Sequence, residues 1–539
     1  MESFIPILNA IDSFMWGPPL ITLLVGTGIY LTIRLKLLQV FRLPKALKLI
    51  FKAQNNGRGD VSSFKALCVA LAATVGTGNI VGVATAVKVG GPGAIFWMWV
   101  AAFFGMATKY SEGLLAVKFR SVDEKGEIAG GPMFYIRNGM GEKWKPLATF
   151  FALACIGVAY FGIGTFPQVN AIVDSMEIAF GFPKLATDVI LTVFITAITL
   201  GGLQSIAKVA SGIVPFMALT YVAISLGLII LNLDQVPAAI AMIISDAFTG
   251  AAAAGGFAGS TVMMAMQNGV ARGVFSNESG LGSAPIAAAA AKTKWPAEQG
   301  LISMTGTFID TIIICSMTGL ALVLTGVWQG DTAGAAMTSA AFASAYGFFG
   351  SQLLTIALVL FAFTTILGWN YYGERACIYL FGNKGVLPYR LIFIALIASG
   401  AFLKLEAIWI LADIVNGLMA IPNLIALLLL SLVLLREHRA RAAGIALRWD
   451  NRENDALLDA LGCKYREHQA GLFVWAELPE SYEGDSFAFS DEVMDKCDVF
   501  LTPGGIFGSE GNRYIRITLC CPEELLKKAT DNIIAKFGK

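Results

Sequence analysis

Apolar blocks of about 20 residues, each long enough to cross the hydrocarbon of a bilayer as a helix, recur along this chain from Pro18 to Arg436. No other feature narrows the possible folds as much. Inside hydrocarbon every backbone N–H and C=O must find its partner within the segment, so such blocks become helices. Hydrophobic residues make up 56% of the 539 and charged residues only 14%, which places the chain among polytopic all-α membrane proteins, with the lipid bilayer as its surroundings. The net charge of +1 and the lack of a basic stripe give no reason to expect nucleic acid among its partners. The cysteines lack metal-type spacing and only two histidines occur, so neither a zinc site nor a disulfide framework is expected. Residues 1–16 carry acids and no basic region, which argues against a cleaved signal peptide.

The first span, about 18–33, is followed by Arg34, Lys36, Arg42, Lys45, Lys48, Lys52, Arg58 and Lys65. So basic a connection belongs in the cytoplasm, which puts the N-terminus outside. Further spans fall near 66–88, 94–116, 147–175, 186–203, 207–232, 254–291, 301–327, 350–378, 389–404 and 407–436, eleven crossings in all. Alternation then puts the connections holding Lys118 and Arg120, Lys292 and Lys294, Lys384 and Arg390, and Arg436 and Arg439 in the cytoplasm, together with the C-terminus. The opposite connections, 231–250 and 327–347, contain no Lys or Arg, which supports the count. With the first span set aside, ten remain as two sets of five. An odd number per set makes the second enter from the other side, so a repeat would be inverted, with its ligand between two broken helices.

Two stretches supply such breaks. TVGTGNIVGVATAVKVGGPG, Thr74 to Gly93, places Gly76, Gly78 and Gly82 beside Thr74, Thr77 and Asn79. Glycine at that density lets a backbone bend, and freed carbonyls inside a membrane protein must face protein or a polar cavity. The same glycines would equally serve an unbroken helix packed closely on a neighbour. Its counterpart runs from Gly255 to Ala291 and holds Arg272, Ser276, Asn277, Glu278, Gly280 and Gly282 in its middle. Charges at that depth suggest function; Glu278 is expected to pair with Arg272 in a structural or gating role, or to line the cytoplasmic pathway. Elsewhere Gln168 needs a partner within its apolar run. Thr364 and Thr365 precede Trp369 and Asn370; threonine hydroxyls in such helices ordinarily bond back to their own backbone.

GTGNIVGVATAV, GGPGAIFWMW, TKYSEG, GVFSNESGLGSAPIAAAAAKT and GWNYYGERA together resemble the alanine/glycine:cation symporter family over about residues 10–440. The resemblance implies a LeuT-type 5+5 inverted repeat plus one extra N-terminal helix, with core repeats about 64–232 and 252–437. It further implies sodium-coupled uptake of alanine, glycine or serine across the plasma membrane. Laid over the matching positions, it puts Thr77, Gly78, Asn79, Gln168, Phe275, Ser276 and Trp369 around the amino acid. Sodium would be held by Ala72, Thr74, Val75, Asn79, Thr364 and Thr365, an oxygen-only set with no carboxylate, suited to a hard cation. Proton coupling is disfavoured by the scarcity of titratable groups expected in the core spans.

Beyond about Arg448 the sequence turns polar, and 449–539 reads as a small soluble α/β domain after a transmembrane domain of 1–448. GLFVWAELP, FLTPGGIFG and RYIRITLCC resemble the closing segment of class I/II pyridoxal-phosphate aminotransferases, with Arg516 where those enzymes grip a substrate carboxylate. The large domain of such an enzyme, with its cofactor lysine, is missing. The chain is therefore not expected to bind pyridoxal phosphate or to be an enzyme.

Overall fold

The computed structural model describes residues 5–52, 57–249, 262–402, 405–442, 452–465, 473–518 and 523–537. The stretch Gly255–Thr261, the expected domain boundary near Arg448, and Cys520 and Cys521 lie outside these residues. The chain forms two compact units, Met1–Leu434 and Leu435–Lys539.

The first unit is helical apart from a ribbon of β1 (Ser121–Val122) and β2 (Ile128–Ala129). Among the described residues six helical stretches are long and apolar enough to cross a membrane, from Ile5–Arg34 to Ile410–Leu429. A bent pair, Ser63–Thr74 and Gly78–Gly90, makes a seventh. Large apolar side chains such as Phe216, Leu219 and Ile230 face outward, as they would toward lipid. This is a multi-pass membrane unit. The expected crossing at 147–175 is two helices, Lys145–Phe161 and Phe166–Phe180, parted where Gly162, Gly164 and Pro167 interrupt the run.

Two broken helices organise the interior. The first stops at Thr74, resumes as a π-helix at Gly78–Gly82 and continues as Val83–Gly90, with a bend of 51°. Ser62 starts it properly by accepting the Lys65 N–H at 3.2 Å. The second comprises Val262–Asn277 and Ala284–Ala289. Between its halves Glu278, Gly280 and Gly282 all take positive φ, at 55°, 91° and 82°. That backbone cannot continue a helix, and glycine adopts it without steric cost. Helix Gly93–Lys118 packs along the second broken helix, and the long helix Phe348–Phe381 packs along the first.

The first helix is tied to the end of the second. Asp60 and Val61 donate their N–H groups to the Ala290 carbonyl at 2.8 and 3.1 Å, and Lys292 N–H returns to the Val61 carbonyl at 2.8 Å. The Arg120 guanidinium caps this knot, donating to the carbonyls of Ala289, Ala291 and Arg58 at 2.8–2.9 Å.

The second unit holds an antiparallel sheet of β3 (Lys464–Tyr465), β4 (Phe473–Glu477), β5 (Thr502–Pro503) and β6 (Tyr514–Thr518), in the order β3-β4-β6-β5. Alternation buries Val474, Ala476, Ile515 and Ile517 against helices Arg452–Ala460, Ser486–Cys497 and Glu523–Phe537. Arg516, on the other face, has its guanidinium carbon 4.0 Å from the Phe473 ring centre and 4.3 Å from that of Phe507.

Candidate functional site

Where the first helix breaks, Gly76 presents a free backbone N–H, and the Asn79 side-chain oxygen accepts it at 2.9 Å. That fixes the amide. Its nitrogen then points at Asp310, 2.7 Å from the carboxylate and 3.2 Å from the main-chain carbonyl. Asp310 stands in a π-helical segment, Phe308–Cys315, which interrupts the helical run Pro296–Thr325. Its second carboxylate oxygen accepts the hydroxyls of Ser276 at 2.9 Å and Thr311 at 2.8 Å. One carboxylate therefore joins the break of the first helix to the last turn before the break of the second. Gly78 completes the contact: a methyl there would stand 3.1 Å from the Ser276 Cα and 3.4 Å from the Phe275 ring.

Gln168 reaches the same break from the start of helix Phe166–Phe180. Its amide nitrogen donates to the Thr77 hydroxyl at 3.0 Å and to the Ile163 carbonyl at 3.0 Å. Its oxygen accepts the Thr77 N–H at 3.4 Å. Trp369, on the long helix, packs against Gly164 and donates its indole N–H to Glu278 at 2.9 Å. Thr77, Asn79, Gln168, Phe275, Ser276 and Trp369 are all at most 3% exposed, so these side chains are buried from solvent. All seven residues expected around an amino acid thus lie on elements that meet at the two breaks.

The expected sodium ligands converge less. Thr365 lies beside Gly76, donating to the Val75 carbonyl at 3.5 Å and back to the Phe361 carbonyl at 3.0 Å. Thr364 turns away, to the Phe361 carbonyl at 3.0 Å and the Met217 sulfur at 3.5 Å. Thr74 bonds to the carbonyls of Ala70 and Leu71 in its own helix, the ordinary back-bonding of a helical threonine. Ala72 is buried in that helix.

Two expectations are overturned. Arg272 does not pair with Glu278; it holds Asp413 through both guanidinium nitrogens, at 3.1 and 2.7 Å. Glu278 instead accepts from Trp369 and Ser283, because the positive φ at Glu278 turns its side chain inward across the break. Nor is the core poor in titratable groups or the site free of carboxylate. Lys109, Glu112, Glu278 and Asp310 are all buried there, and Glu112 accepts the N–H groups of Gly280 and Gly282 at 3.1 and 3.2 Å and the Asn423 amide at 2.7 Å. The signal for Asp310 was present, since FIDTIIIC places a lone acid within an apolar span.

Comparison with known proteins identifies the family of the membrane unit. A family profile described as the sodium:alanine symporter family matches residues 1–443, and one described as aminotransferase class I and II matches residues 436–533. A Haemophilus influenzae protein named as an uncharacterized transporter is 61% identical over 435 residues, covering 80% of this chain and 95% of that protein. The sodium/alanine symporter AgcS of Methanococcus maripaludis is 49% identical over 444 residues, covering 81% and 97%. Among solved structures, substrate-bound BacF from Bacillus subtilis matches 23% of this chain and 33% of its own at 26% identity, with a TM-score of 0.16. Profile and relatives agree across the membrane unit, and the chain belongs to the sodium:alanine symporter family.

Proposed function

We propose that this chain imports small neutral amino acids, alanine and glycine and also serine, across the plasma membrane, driven by the sodium gradient through alternating access. Its membrane unit is read as eleven crossings, a LeuT-type inverted repeat behind one extra helix, with the N-terminus outside and the C-terminus in the cytoplasm. The single observation that carries the reading is the buried junction of two broken helices at Asn79, Asp310 and Ser276, backed by Gln168. The name of the Methanococcus relative, a sodium/alanine symporter, points the same way.

Each residue then has a task. A half-helix N-terminus attracts an anion, so the backbone from Thr77 to Asn79 takes the substrate carboxylate. Gln168, already hydrogen-bonded to Thr77, offers its amide oxygen to the substrate ammonium. Phe275 and Trp369, both buried, wall the side-chain space and keep it small. Sodium is held near the first break by carbonyl and hydroxyl oxygens, including those of Val75 and Thr365. Ion and amino acid share one junction, so each favours binding of the other. Pyridoxal phosphate has no part in this reading, and the tail adds no chemistry to it.

The test is uptake of labelled alanine into proteoliposomes holding the purified chain, under an imposed sodium gradient, a potassium gradient or a proton gradient. Uptake driven by sodium alone is expected. Uptake driven by protons alone, or binding without translocation, would overturn the reading.

A further inference from the structure

The first membrane span ends at Arg34, whose guanidinium carbon stands 5.7 Å from the Tyr30 ring centre. Lys36 and Leu37 then take positive φ, at 56° and 54°, so the helix stops and the chain turns. The buried Gln39 amide, donating to the Thr32 hydroxyl at 2.9 Å, holds that turn. Two short helices follow, Leu38–Phe41 and Leu43–Lys52. A segment that leaves a membrane span by a sharp turn starts its course at the bilayer surface.

Helix Leu43–Lys52 has two unlike sides. Ala46 and Ile50, four residues apart, are buried, and the helix packs on Pro296–Thr307. Lys45, Lys48 and Lys52, spaced by three and four, share a stripe on the other side and are exposed, as is Arg42 just before the helix. On the flank of that stripe Phe51 is 82% exposed, and Phe41 is 71% exposed. The sequence has no acid between Asp12 and Asp60, and among the described residues none of the four cations is ion-paired. Basic side chains on an amphipathic helix next to a membrane span are the pattern that attracts acidic lipid.

We propose that residues 38–52 form an arm lying in the membrane interface that binds anionic phospholipid. Arg42, Lys45, Lys48 and Lys52 meet the phosphate headgroups, while Phe41 and Phe51 enter the boundary with the acyl chains. A free phosphate would satisfy the same cations but leave both rings in water, which favours the lipid. This surface goes beyond the transport reading and uses neither the amino-acid site nor the sodium ion.

Native mass spectrometry of the purified full chain, released from mixed micelles holding equal phosphatidylglycerol and phosphatidylcholine, counts the lipids of each kind that stay bound. The wild-type chain is expected to retain phosphatidylglycerol in preference. The triple variant Lys45→Gln/Lys48→Gln/Lys52→Gln is expected to bind it at least ~10-fold more weakly, and the corresponding triple Lys→Arg variant to keep it. Phe51→Ser, which leaves every charge in place, is expected to lower retention several-fold. Wild-type retention in the triple Gln variant, or equal loss in the Gln and Arg variants, would overturn the proposal. Should the triple Gln variant fail to fold, unchanged retention in Lys48→Gln would overturn it instead. Unchanged retention in Phe51→Ser, or displacement of the lipid by inorganic phosphate, would replace the interfacial arm with a soluble-anion site. Lipid counts are read without sodium or amino acid, so failure of the transport reading leaves them unaffected.

Discussion

Gly76 lies where the first helix ends, and its hydrogen side is occupied: a β-carbon there would fall on the Thr365 hydroxyl. Gly76→Ala is expected to destabilise the unit by about 1–3 kcal/mol through overpacking and to abolish uptake. Removing the obstructing hydroxyl in the double variant Gly76→Ala/Thr365→Ala should restore most of the thermal stability; no recovery would show that the contact is not the cause. The Arg272–Asp413 pair gives a second residue-scale test. Arg272→Met leaves a buried carboxylate unpaired and should cost about 3 kcal/mol, read as a lowered midpoint of thermal unfolding. Replacing both partners, Arg272→Met with Asp413→Leu, should recover most of that loss. At this scale the sequence pointed to Arg272 and Glu278 as buried charges but misassigned their partners. Asp413 lies 141 residues away along the chain, a separation no local pattern reports.

The second broken helix depends on a residue from another element. Glu112, on helix Gly93–Lys118, accepts N–H groups from Gly280 and Gly282, the donors freed by the break. Glu112→Ala strands those two donors and one N–H of the Asn423 amide, whose nitrogen still donates to the Gly280 carbonyl, at about 1–3 kcal/mol for each buried group left unsatisfied, and should lower thermal stability sharply. Glu112→Gln keeps an acceptor oxygen and should retain much of the stability. Equal losses in the two variants would show that the charge matters and not the capping. The positions of both breaks were legible because clustered glycines in an apolar run are local signals. The division at Gly162–Thr165 was missed although its glycines and proline are equally local, since hydropathy alone runs straight through it.

For the whole molecule, the two units have separate cores, and the family profile for the symporters covers residues 1–443. A chain ending at Ala442 is therefore expected to keep sodium-driven uptake at near the full-length rate in proteoliposomes. Loss of uptake from a folded truncated protein would show that the tail is needed for transport. Arg516 in that tail lies between two aromatic rings, an arrangement that holds the guanidinium by stacking. The sequence by itself determined the membrane unit, its helical class, the two breaks and the change of composition before the tail, because hydropathy and glycine act through neighbours along the chain. Only the tertiary structure decided that Asn79 turns its amide between Gly76 and Asp310, and that Asp310 links the two broken helices. The Asn79–Asp310 contact joins residues 231 positions apart, and close packing of separate helices is what selects it.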